Sequence, residues 1–315
     1  MANVHRRGRG RSWQLRQQSL QLFQQWQFQL AQAGYPLEIH RGLMLLAADG
    51  AEWQLQQQLL KERQARGTEL SLIQPEQLAA QVAANELPPL PQHPHGALWS
   101  PRDGQLDPGQ WLNALQGDAA SHGMQQLNAR VEAIAGAAAT GSWQLQLNDG
   151  SRLVADRVLL CAGLAVAPLL QQLGINCPLQ PVWGQAMELQ LTDEFPLWRN
   201  AVVWQGINLI PRPKGRLWLG ATLEPGQGPS QQALRDLRNL NGCAPAWLQG
   251  AELVDHWFGA RARPVGQPAP LLAEPLPGLL LLGAHYRNGI LLGPASAAWA
   301  AAQINLLRRS LSPCP

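Results

Sequence analysis

The residues best suited to chemistry stand together near the C-terminus, in the run His285-Tyr286-Arg287-Asn288-Gly289. A planar guanidinium such as that of Arg287 grips a carboxylate through two parallel hydrogen bonds and so fixes its orientation as well as its charge. Gly289, with Gly293 behind it, lets the backbone pass close to a flat or anionic ligand without a Cβ in the way. Two elements must position this run. An apolar stretch of strand length, 279–283, precedes it, and a helix-compatible stretch, 294–307, follows with Pro294 in its first turn. Loops at the carboxyl ends of strands in α/β sheets collect helix N-termini and free backbone amides, which is where ligands bind. Spacing alone leaves a second reading open, an ordinary strand-to-helix turn with a half-solvated histidine, tyrosine and arginine.

Few other stretches compete. Cys161, Cys177, Cys243 and Cys314 are scattered, with no C-x-x-C and no histidine at ligand spacing, so neither a zinc site nor a disulfide framework is indicated and a reducing cytoplasm fits. His93-Pro94-His95 offers two nitrogens, but it sits in a proline-rich connector without nearby acidic or thiol partners, so no metal is expected there. A formal charge of +3, with arginine gathered at Arg6, Arg7, Arg9 and Arg11, argues against a nucleic-acid partner. No apolar run approaches the ~18 residues needed to cross a bilayer. Residues 1–12 read as a basic, disordered leader. The glutamine-rich stretch 14–32 after it is no signal core. With 315 residues, 46% hydrophobic and 14% charged, the chain can bury a core and fill two domains.

Along the chain, Leu15, Leu22, Trp26 and Leu30, with Phe23 beside them, recur at helical spacing over 13–33, and Gly34 and Pro36 stop the helix. Strands are expected at 39–48 and 68–73, and helices at 51–66 and 76–84. Residues 87–94 form a proline-rich connector. Asp103-Gly104 reads as a turn, and Asp107 caps a helix begun by Pro108. Strands follow at 131–134, 143–148 and 153–155, the latter two joined by a turn at Asn148-Asp149-Gly150. The continuous apolar run 157–163 is expected as a buried parallel strand whose small carboxyl end approaches a ligand. Residues 209–224 form a hairpin around Pro213-Lys214-Gly215, and 231–240 a short helix.

The wording of several of these stretches goes beyond periodicity. His285-Tyr286-Arg287-Asn288-Gly289-Ile290-Leu291-Leu292, followed by a small residue and Pro294, resembles the C-terminal flavin loop of the D-amino-acid oxidase and glycine oxidase family of FAD enzymes. So do His95-Gly96-Ala97-Leu98 through Asp107-Pro108, Pro181-Val182-Trp183-Gly184-Gln185, Pro211-Arg212 through Gly220-Ala221-Thr222-Leu223-Glu224, and Trp257-Phe258-Gly259-Ala260-Arg261. The resemblance runs from about residue 13 to 307.

The resemblance implies a mixed α/β fold, in which an incomplete FAD-binding Rossmann-like domain (13–36, 96–178 and 263–310) is interleaved with a mostly antiparallel substrate domain (37–95 and 179–262). It implies FAD, a small amino acid or amine as substrate, and oxygen or another electron acceptor. The reaction it implies is oxidative deamination by hydride transfer to flavin, in the manner of the glycine oxidase of thiamine biosynthesis. By position, Arg261 and Arg287 would bind the substrate carboxylate. Asn208 stands where many relatives have a tyrosine, and Ala262 where the proline after the arginine is usual. Val131, Ala162, Gly163, His285, Tyr286, Arg287, Asn288, Gly289, Ile290 and Leu291 would contact the cofactor. The family's Gly-x-Gly-x-x-Gly phosphate turn occurs nowhere in the sequence. That leaves two expectations: a start placed too far downstream, or a remnant that binds without catalysis. A homo-oligomer stays open.

Overall fold

The computed structural model describes residues 10–64, 69–91, 94–137, 141–226 and 228–311. In chain order the first elements are α1 (Arg11–Gln32), β1 (Ile39–Leu46), α2 (Gly50–Gln64), β2 (Ser71–Ile73), α3 (Pro75–Ala83), β3 (Ala97–Leu106) and α4 (Pro108–Ser121). There follow β4 (Val131–Ala137), β5 (Ser142–Leu147), β6 (Arg152–Ala155), β7 (Val158–Leu160), α5 (Val166–Gln171), β8 (Leu179–Gln190), β9 (Ala201–Trp204), β10 (Ile207–Arg212) and β11 (Arg216–Gly220). The last are β12 (Glu224–Pro225), α6 (Gln231–Arg238), α7 (Ala246–Gln249), β13 (Glu252–Pro264), β14 (Leu271–Leu276), β15 (Leu279–Gly283) and α8 (Gly289–Leu311). The chain divides into two compact units. One holds Glu38–Pro108 and Trp183–Gly259, and the other the described parts of Arg9–Leu37, Gly109–Val182 and Ala260–Pro315.

The first unit is organised by a sheet in the order β12-β8-β11-β10-β9-β1-β3-β2, with β13 also on β8. Its pairs β8–β11, β11–β10, β10–β9, β1–β3 and β3–β2 are antiparallel, and β1–β9 is parallel. Alternation along β11 buries Leu217 and Leu219 completely and leaves their neighbours half-exposed. They pack with Met187, Leu189, Leu209 and Trp204 under Leu237, Leu240 and Leu248. The Pro213-Lys214-Gly215 turn closes the β10–β11 hairpin as the sequence indicates, with Arg212 paired to Arg216. Asp103-Gly104 is not a turn. Both residues lie inside β3, where the register with β1 shifts between Arg41 and Leu43. That bulge absorbs the extra residues, and Ser100 Oγ donates 2.9 Å to the buried Asp103 carboxylate. Glycine is required at 104, because a Cβ there would stand 2.1 Å from the His40 carbonyl oxygen. β3 therefore belongs to this sheet, whereas the expected boundaries put 96–108 with the FAD-binding segments.

The second unit contains two small sheets. In one, β14 pairs antiparallel with β15 and β15 pairs parallel with β7; in the other, β4, β5 and β6 form an antiparallel meander. Val158, Leu160, Leu279 and Leu281 fill its core with Val166, Leu169 and Leu170 of α5. The edge position of β7 leaves Leu159 40% exposed, so this strand is buried on one face and not on both as expected. Helix α1 begins at Arg11, not after residue 12. Arg11 donates to the Leu272 carbonyl at 3.3 Å and Ser12 to that of Ala269 at 2.9 Å. The rest of the expected leader, 1–9, lies outside the described residues, as do His93 and Cys314. The buried stripe of α1 is Leu15, Arg16, Ser19, Leu20, Phe23 and Leu30, rotated from the expected one toward Ser19, whose Oγ accepts from the Ala295 amide of α8 at 3.1 Å. No helix among the described residues is long and apolar enough to cross a membrane.

Candidate active site

The geometry of the candidate site follows from the parallel pairing of β15 with β7, which sets Leu281 against Leu160. Their carboxyl ends therefore lie side by side, and each runs directly into a 3-10 turn and a helix. After β7 the turn is Gly163–Ala165, leading to α5; after β15 it is Tyr286–Asn288, leading to α8. This brings Ala162 and Gly163 to the same sheet edge as the turn that starts at Ala284. Helix α8 begins five residues earlier than the sequence suggests, at Gly289. Pro294 lies inside it, where its ring removes one intrahelical backbone donor.

The second turn is held in an unusual backbone conformation. Ala284 (φ 50°) and Tyr286 (φ 56°) are both left-handed, which costs a residue with a Cβ about 1–2 kcal/mol. His285 compensates. Its Nε2 lies 2.9 Å from Ser296 Oγ on α8, with Ser296 fully buried, and its carbonyl accepts from the Asn288 amide at 3.1 Å. Burial of the imidazole pushes the His285 pKa below its ordinary value, because removing water disfavours the charged ring. Leu291 is buried in α8, while Ile290 is 46% exposed and Arg287 is exposed. Val131 starts β4, half-buried against the core of this unit.

Strand β13 brings the remaining guanidinium. Ala262 and Pro264 are buried while Arg261 and Arg263 point to the opposite face, half-buried and exposed respectively. Arg263 places its guanidinium carbon 5.6 Å from the centre of the Tyr286 ring. The sequence reading passed over Arg263; strand alternation two residues beyond Arg261 was the signal that could have found it. Asn208 belongs to the first unit, on β10, and its Nδ2 donates to the Gly220 carbonyl at 2.9 Å.

The first unit also holds a polar cluster that the sequence reading did not assemble. Gln185, 2% exposed, donates to Glu224 at 2.9 Å and to the Ser230 carbonyl at 2.8 Å, and its oxygen lies 3.1 Å from His256 Nε2. Glu224 accepts further from Thr222 and from the Ser230 amide. Among the described residues no group of three or more His, Cys, Asp or Glu could hold a metal ion.

A parallel strand pair ending in two glycine-bearing turns, each opening a helix, defines a class: α/β proteins that hold a flat or anionic ligand at the carboxyl edge of a sheet. The chain belongs to the FAD dependent oxidoreductase family (DAO), whose model matches residues 2–303, and FAD is that family's cofactor. It is 37% identical over 159 residues to a glycine oxidase of Pseudomonas putida, covering 48% of this chain and 42% of that one. It is 34% identical over 212 residues to the bifunctional protein ThiO/ThiG of Synechocystis, covering 64% of this chain and 31% of that protein. The chain thus spans half or less of the length of these curated relatives. Among solved structures, glycine oxidase from Geobacillus kaustophilus superposes with a TM-score of 0.83 at 24% identity, over 98% of this chain and 82% of that one.

The residues present suit the ring end of FAD. A Cβ built at Gly163, Gly283 or Gly289 would meet nothing within 4 Å, so the backbone is open to a flat ligand, and α8 carries no acidic residue in its first turn to oppose negative charge at its N-terminus. Phosphate donors of the Gly-x-Gly-x-x-Gly kind are not in the sequence.

Proposed function

We propose that the chain serves FAD-dependent oxidation of glycine or another small amino acid or amine, with a place in thiamine biosynthesis. The observation that carries this reading is the edge formed by β7 and β15, where an open backbone, the His285–Gly289 turn and a helix N-terminus occur together in a chain of this family. Ala162, Gly163, Val131 and the run His285 to Leu291 would hold the ring end of FAD. Bound FAD supplies the acceptor for a hydride from the substrate Cα.

The chain's own residues orient the substrate. Arg261 and Arg287 grip its carboxylate, a fork geometry that fixes the Cα–H toward the ring. Asn208 replaces a tyrosine of many relatives, and its Nδ2 donates to the Gly220 carbonyl. On this reading the second unit is the cofactor domain and the first the substrate domain. Oxygen or another acceptor takes the electrons. The free thiols of Cys161 and Cys177 suit a reducing cytoplasm.

A second reading is a protein of this fold that binds without catalysis. A visible spectrum of the purified chain separates the two, since bound flavin absorbs and a remnant is colourless. In the flavin-loaded protein Arg261→Ala should raise the amino-acid concentration needed for half-maximal rate by about thirtyfold, the worth of one charge-assisted pair of about 2 kcal/mol. Flavin content should stay unchanged; flavin lost in step with activity would overturn the assignment of Arg261.

A further inference from the structure

Arg261 and Arg287 have tasks in the proposed reaction, and Arg263 has none. We propose that Arg263 is a specificity-determining residue that binds a second carboxylate, so that the site prefers dicarboxylic amino acids to glycine. The inference rests on the reading that Arg261 and Arg287 line the substrate site, and it adds the class of substrate.

Three observations support it. Arg261 and Arg263 project from the same face of β13, at a spacing of ~6.7 Å along the strand. Long side chains at that spacing reach two carboxylates of one small molecule. Arg263 is also oriented, its guanidinium carbon standing 5.6 Å from the Tyr286 ring centre. An arginine resting on an aromatic face keeps its N–H edge free, and that edge is what a carboxylate binds through two parallel hydrogen bonds. A solvated arginine with no task has no need of such a platform, nor does the platform need a left-handed tyrosine beside the candidate site.

Charge balance is the third. Among the described residues no carboxylate lies within ion-pair distance of Arg263 or Arg287. Zwitterionic glycine brings one carboxylate and its own ammonium, which leaves this surplus unanswered. A dicarboxylic amino acid brings a net negative charge and answers it.

The test uses probes that cannot be oxidised at a C–N bond and so needs no turnover. The flavin-loaded protein, as wild type, Arg263→Ala, Arg263→Lys and Arg261→Ala, is titrated calorimetrically with succinate and with propionate, which differ by one carboxylate. Wild type should bind succinate at least tenfold more tightly than propionate. Arg263→Ala should abolish that ratio by weakening succinate alone, and Arg263→Lys should restore part of it. Equal affinities in wild type overturn the inference, as does an Arg263→Ala variant that loses both ligands equally, which would make Arg263 a brace for Tyr286. If Arg261→Ala leaves both ligands unaffected while Arg263→Ala does not, the substrate-site reading fails instead, and the two failures are told apart.

Discussion

Two polar assemblies in this molecule are built on opposite principles. In the first unit Gln185 is buried, and both its amide nitrogen and its oxygen have partners: Glu224, Ser230 and His256. In the second unit the turn from Ala284 to Gly289 presents exposed guanidinium and open glycine backbone, and it is held by the contact of His285 with Ser296, by the Asn288 amide on the His285 carbonyl and by a left-handed chain. A satisfied buried network fixes a structure and has nothing left to offer a ligand. A turn with unspent donors, pinned from behind, is what a ligand needs. The difference explains why the most polar buried cluster is not the candidate site and why the site sits on strained backbone.

If that contrast is right, damage to the first assembly should appear in stability and damage to the second in binding. The largest effect is expected for Gln185→Leu. It strands the Ser230 carbonyl and His256 and removes a donor from Glu224, so it should cost about 3 kcal/mol of unfolding free energy. Urea denaturation measures this, and the ratio of succinate to propionate affinity in the surviving folded protein should be unchanged. A shifted ratio would mean that the cluster reaches the ligand and that the contrast is false.

Gly163→Ala is the converse and smaller in stability. The position has φ 59°, so alanine costs about 1 kcal/mol, and a Cβ there meets no protein atom within 4 Å. Its methyl would instead occupy the open face at the end of β7. Flavin affinity, followed by fluorescence quenching on titration with FAD, should therefore fall more than stability does. A variant that loses stability but binds FAD normally would remove Gly163 from the site.

Much of this was legible in the sequence where a local rule and the fold agree. The β10–β11 hairpin and the β5–β6 turn followed from turn residues between alternating runs, and the two parallel strands from continuous apolar stretches ending in small residues. Legibility failed where a long-range partner overrode a local signal. Asp103-Gly104 is a strong turn pair, yet the β1 register shift draws it into a strand. Ser19 sits on the buried stripe of α1 because the Ala295 amide, 276 residues away, needs an acceptor. Gln185 was visible within a motif, but His256 and Glu224 lie 71 and 39 residues from it, and no spacing rule joins them. Arg263 was hidden by proximity instead: it stands two residues past Arg261, and only the strand's alternation puts both on one face.

The smallest effect sharpens the contrast from the side of the pin. His285 is pushed below its ordinary pKa of 6.5 by burial, so the unfolded chain takes up a proton at a higher pH than the folded one. In the window between the two values the unfolded state binds more protons, and stability must rise with pH there. The contribution is fully present above about pH 6.5 and is lost as pH falls through the folded value. Urea midpoints measured from pH 8 to pH 5 for wild type and His285→Gln should therefore converge or cross on acidification, because glutamine keeps a polar group facing Ser296 Oγ but cannot be charged. Parallel curves for wild type and His285→Gln would mean that the imidazole is hydrated in the folded protein, and the turn would then be held by its backbone alone.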